Sequence, residues 1–125
     1  MDIAGKEQQR ELSAFLKGKP VVATDLFASL ITALHIFGEL EVYALKTMVG
    51  IASDRTFAYV IQFARAFIDV VIPFKEVYSY NLCFKKISPV PGSDDYNHHI
   101  RIYFKEDLNE EVMSYFKLAY LNALK

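Results

Sequence analysis

Apolar residues recur along this chain with two different periods, and the change comes near Pro73. Before it they return at three- and four-residue steps, the spacing of helices that each bury one stripe. After it Tyr78, Tyr80, Leu82 and Phe84 alternate with Ser79, Asn81, Cys83 and Lys85. Further on, Ile100, Ile102 and Phe104 alternate with Arg101, Tyr103 and Lys105. Alternation marks a strand with one wet face. Helices followed by a small sheet predict the α+β class.

Breaks in the pattern set the elements. Leu12, Phe15 and Leu16 predict an amphipathic helix over residues 7–17, stopped by Gly18 and Pro20. A second helix starts at Thr24 or Asp25, carries Leu26, Phe27, Leu30, Ile31, Leu34 and Phe37, and stops at Gly38. A third runs from Leu40 to Val49, with Gly50 at its left-handed end. Ser53 or Asp54 caps a fourth, with Phe57, Val60, Ile61, Ala64, Phe67 and Ile68 inward and Arg55, Tyr59, Gln62 and Arg65 outward. Val70 to Ile72 reads as either helix or strand. "SPVPGSDDYNHH" is dense in turn formers and joins the two strands as a long hairpin tip. A last helix over residues 109–124 is capped at Asn109, with Glu110 and Glu111 at its positive end.

Composition narrows the class. A chain of 125 residues, 53% hydrophobic and 23% charged, is expected to be one folded domain rather than a disordered segment. Its single cysteine, Cys83, rules out an internal disulfide and suits a reducing, cytoplasmic setting. The first residues lack the apolar run of a signal peptide, and Gln62, Arg65 and Asp69 interrupt the apolar stretch 57–74, so no membrane partner is expected. Ten Phe and eight Tyr are hard to hide in so small a chain, which favours an oligomer. The net charge of −1 is not that of a strong non-specific polyanion binder. Positive excess collects in residues 75–105, which hold five bases against three acids.

The order helix, helix, turn, helix, hairpin resembles the winged helix-turn-helix family. "MVGIASDRTFAYVIQF" carries the resemblance. Val49-Gly50-Ile51 is similar to the hydrophobic-glycine-hydrophobic turn of such domains, and "SDRTFAYVI" to the start of their recognition helix. It covers residues 24–105 as a three-helix core plus β-hairpin wing, with helices 7–17 and 109–124 as extensions. The resemblance implies a sequence-specific transcription regulator that places this helix in the major groove of double-stranded DNA, with the hairpin on an adjacent backbone or minor groove. Arg55 would give two parallel hydrogen bonds to guanine, and Thr56 would meet a phosphate or a thymine methyl. Tyr59 and Gln62 follow on the exposed face. Arg65, Lys85, Arg101 and Lys105 would meet phosphates.

Plainer readings stand beside these. Arg55 and Arg65 fit a solvated helix face beside Asp54 and Asp69, and Lys85, Arg101 and Lys105 fit a sheet face kept soluble by charge. The stripe Val112, Phe116, Ala119, Tyr120 and Ala123 on the last helix packs its own domain or forms a homodimer contact. The homodimer is the favoured expectation, and it would set two recognition helices about 34 Å apart. A protein-interaction or assembly subunit of the same fold is the alternative function. His98 and His99 point to opposite faces of a strand, and the glycines form no phosphate-binding loop, so no metal, cofactor or enzymatic activity is expected.

Overall fold

The fold comes from a computed structural model that describes residues 3–79 and 81–125. Helix α1 (Ile3–Leu16) and helix α2 (Val21–Leu34) open the chain. Pro20 precedes the first turn of α2, where a missing N–H costs nothing, and Ala23, Leu26, Phe27, Leu30 and Leu34 are buried at helical spacing. A 3₁₀ turn, His35–Phe37, ends at Gly38, whose φ of +144° suits glycine. A Cβ at Gly38 would also collide with the Tyr120 hydroxyl, which donates to the Glu39 carbonyl at 3.1 Å.

Six strands follow: β1 (Glu41–Ala44), β2 (Val49–Ala52), β3 (Thr56–Phe63), β4 (Ile68–Phe74), β5 (Lys86–Pro89) and β6 (Tyr96–Ile102). They form one antiparallel sheet in the order β1-β2-β3-β4-β6-β5. Helix α3 (Glu110–Asn122) closes the chain, with the Asn109 side chain accepting from the Val112 N–H at 2.9 Å. One face of the sheet presents Val49, Ile51, Val60, Ile68, Val70, Ile72, Ile100 and Ile102 to the core that α2 and α3 complete. Helix α1 lies along β1, with Phe15 edge-on to Phe63 at 5.8 Å. No helix among the described residues is long and apolar enough to cross a membrane.

The α+β class therefore holds, but the three-helix core with a hairpin wing is not what these residues form. The helix expected over 40–49 is β1, a tight turn and β2, and the helix expected from Ser53 or Asp54 is β3 and β4 joined at residues 64–67. Two irregularities explain why the period looked helical. The register shifts between Ile51 and Ala52 opposite β3, and again between Val60 and Gln62 within β3. An extra residue at each bulge turns two-residue spacing into three. Phe57, Val60 and Phe63 thus return to the core side at an interval that imitates a helix.

The expected strand 78–85 is a turn-rich cover instead, Tyr80 lying outside the described residues. Tyr78 and Phe84 close over His98 together with Phe74 and Tyr115. The second expected strand ends at Ile102, since Asp107 accepts from the Tyr103 and Phe104 N–H groups at 2.8 and 3.0 Å and bends the chain into a 3₁₀ turn. The stripe expected to make a dimer contact is also accounted for within the chain. Val112, Phe116, Ala119, Tyr120 and Ala123 are all buried against the sheet. Their apolar area is already spent on the core.

Candidate functional site

Strand alternation sends every second side chain to the face away from α2 and α3. The register places Tyr43, Gly50, Tyr59, Val71, His99 and Lys86 opposite one another in a single row across all six strands. Gly50 is the hinge of this row. A Cβ there would lie 2.5 Å from Cζ of Tyr43, so the tyrosine ring lies across the glycine backbone. The Tyr43 hydroxyl reaches over to share a hydrogen bond with the Thr56 hydroxyl. Burial, with a smaller effect from Tyr43, raises the Tyr59 pKa, so Tyr59 keeps its phenolic proton at neutral pH.

Two residues along β4, on the same face, lies a charged row. Gln62 faces Asp69, and Asp69 faces Arg101. Arg101 grips Asp69 through two hydrogen bonds, Nε at 2.8 Å and Nη2 at 3.0 Å, and Lys85 approaches it at 3.6 Å. Burial pulls the Asp69 carboxyl upward, but the Arg101 hydrogen bond and the Lys85 and Arg101 charges outweigh it, and the pKa is lowered. Asp69 in turn raises the Arg101 pKa. The guanidinium also sits 3.8 Å from the centre of the Phe67 ring, and Phe67 meets Tyr103 edge-on. His99, in the first row, stands two residues from Arg101 along β6. Burial and then the Lys86 and Lys85 charges lower its pKa, with Asp69 opposing them, so the ring is neutral at pH 7.

Thr56, Tyr59, Gln62, Lys85 and Arg101 are thus brought to one face, although they stand there on strands and flanking loop rather than on a helix. The other expected DNA contacts go elsewhere. Arg55 belongs to the β2–β3 turn, where its N–H donates to the Ala123 carbonyl at 3.0 Å and Nη2 to the Leu124 carbonyl at 2.9 Å. Ser53 Oγ donates to the Tyr120 carbonyl at 2.9 Å, so this turn clasps the negative end of α3. The "SDR" sequence that read as a helix start caps a different helix at its other end. Arg65 is exposed in the turn at the far end of β3. Lys105 lies on the helical side, beside Ala28 and Thr32 of α2, away from the sheet face.

Residues 12–123, which take in all six strands and α3, match the family described as a domain of unknown function (DUF5655). The chain belongs to the DUF5655 family. No curated protein and no solved structure matches it. Tyr43, Gly50, Asp69, His99 and Lys86, the contributors to the DUF5655 face that sequence reasoning left out, all fall inside the matched region. Their signal was the alternation in "EVYA" and "HHIRI" and a glycine flanked by buried β-formers. Among the described residues of the DUF5655 chain, no three His, Cys, Asp or Glu groups converge in a way that could hold a metal ion.

Proposed function

We propose that this chain binds nucleic acid on the helix-free face of its sheet and acts as a DNA-binding regulatory module. The observation that carries the reading is the row in which Tyr43 lies over Gly50 beside Tyr59. Aromatic rings on an open sheet are platforms for unpaired bases. Lys85, Lys86 and Arg101 lie along the same face for the phosphates, and Gln62 offers an amide to base edges. Size then selects the form of the ligand. Six strands at about 4.8 Å spacing make a surface roughly 24 Å wide. A major groove is about 12 Å wide, so the face suits single-stranded or opened DNA better than an intact duplex.

Titration of labelled single-stranded and duplex oligonucleotides at about 50 and 200 mM salt tests this. The expected result is salt-dependent binding with preference for the single strand, weakened about 5- to 150-fold by Tyr59→Ala. Absence of binding at low salt, or an unchanged Tyr59→Ala variant, overturns it. A second reading, an assembly subunit or homodimer, draws on Leu118 and Leu121, exposed on α3. Its signature is a concentration-dependent mass that Leu121→Glu abolishes.

A further inference from the structure

Strands β3 and β4 stop pairing at Tyr59–Val71, although both run on past that point. β3 continues beside β2 to Thr56, and β4 continues beside β6 to Phe74. Pro73 has no N–H to extend the ladder. The parting strands open a cleft of about 610 Å³ whose back wall is the C-terminal end of α3. That volume lies within the range of small-molecule sites, roughly 300–1,000 Å³. Thr56 and Tyr59 line the cleft and also belong to the sheet face, so the two surfaces are continuous.

The lining is chemically mixed in a definite way. Tyr59 and Tyr78 offer aromatic walls, Asp95 and Asn122 offer hydrogen-bonding groups, and Arg55 and Lys75 bring positive charge. Arg55 gives Nη2 to the Leu124 carbonyl and is otherwise exposed, leaving other donors of its five for a ligand. Lys75 is 82% exposed and meets Asp95 at 3.4 Å, a surface pair that a phosphate can readily displace. A bare anion would be opposed by Asp95 and Glu76. The lining therefore calls for a ligand with a flat ring, N–H donors and a negative group together.

We infer that the cleft holds one nucleotide unit. Its base lies against Tyr59 and Tyr78, the N–H donors of that base meet Asp95 and Asn122, and its phosphate meets Arg55 and Lys75. The inference rests on the sheet-face reading in one respect, that a strand crossing the sheet would feed its end into the cleft past Thr56. A free nucleoside monophosphate offers the same chemistry as a strand end.

The experiment follows backbone amides of the whole chain by NMR during titration with AMP, GMP, CMP and dTMP. In parallel, affinity is measured for a linear oligonucleotide and for the same sequence closed into a circle. The expected result is shifts at Thr56, Tyr59 and Asn122 with at least one nucleotide, and at least about fivefold weaker nucleotide binding in both Arg55→Ala and Lys75→Ala. Lys75, being exposed, guards against a folding artefact in the Arg55 variant. Lys105→Ala, on the helical side away from the cleft, leaves nucleotide binding unchanged, while Tyr43→Ala weakens linear and circular strands alike. Preference for the linear strand identifies its end as the source; nucleotide binding without that preference identifies the free nucleotide. Strands that bind while nucleotides leave the cleft amides unmoved, or nucleotide binding that both variants leave intact, overturn the inference. Nucleotides that bind while no strand does would sink the sheet-face reading and leave the cleft standing.

Discussion

At Gly50 the absence of one side chain decides where another one lies. Gly50→Ala puts a methyl group where the Tyr43 ring rests, and the ring, being the far end of its side chain, swings away rather than straining the backbone. Folding stability should change by no more than about 1 kcal/mol, since alanine also restricts the unfolded chain. Single-strand affinity should fall about fivefold with the lost platform, comparable to removing one weak stacking contact. Denaturant melts beside oligonucleotide titrations check both halves. Other residues carry their roles through neighbours. Asp69 is 3% exposed and stays ionised, so part of the charge of Arg101 and Lys85 is already neutralised and phosphate attraction is tempered. Burial, helped by Glu111, pushes the Cys83 thiol up to about 12, which keeps it protonated and unreactive. Tyr59, Gln62 and Arg101 could be picked from the sequence because they are polar or amphipathic among apolar neighbours. Tyr43 could not, because its importance depends on a glycine in the next strand.

Among the elements, the helices were the legible part. The stripes of α1, α2 and α3 follow the helical period, and their breaks at Gly18, Gly38 and Asn109 fall within a few residues of the observed ends. Asn109→Ala should remove the cap of α3 at a cost of about 1 kcal/mol, seen as a lower thermal midpoint with unchanged far-ultraviolet dichroism. The strands β1 to β4 were misread for a physical reason. β2 is buried along its whole length and β4 nearly so, which erases alternation, and the bulges of β3 restore an apolar rhythm of three. Thr56, Tyr59, Val60 and Ile61 were the contrary signal, since β-branched and aromatic residues favour extended chain. The dimer stripe shows the matching error. A wide apolar band on a helix says how much is buried, not which chain buries it.

For the molecule as a whole, the buried histidine ties stability to pH. His98 is fully buried, with Nδ1 at 2.9 Å from the Tyr96 carbonyl and Nε2 accepting from the Tyr78 N–H at 3.2 Å, an arrangement that fits the neutral ring. Burial holds its pKa below the usual histidine value, and burial with Lys86 and Lys85 does the same for His99. Unfolded histidines take up protons below about pH 6.5 while these two resist. Stability is therefore complete above about pH 6.5 and declines as pH falls from there towards the lowered values. Urea midpoints measured from about pH 8 to 5 should be flat and then fall, and the double variant His98→Gln, His99→Gln should lose the fall. The sheet divides its labour between its two sides. Helices seal one side, so changes there threaten folding, while the opposite side leaves Tyr43, Tyr59, Gln62, Lys86, His99 and Arg101 at least partly exposed. Those exposed positions can change over evolutionary time, residue by residue, without dismantling the scaffold beneath them.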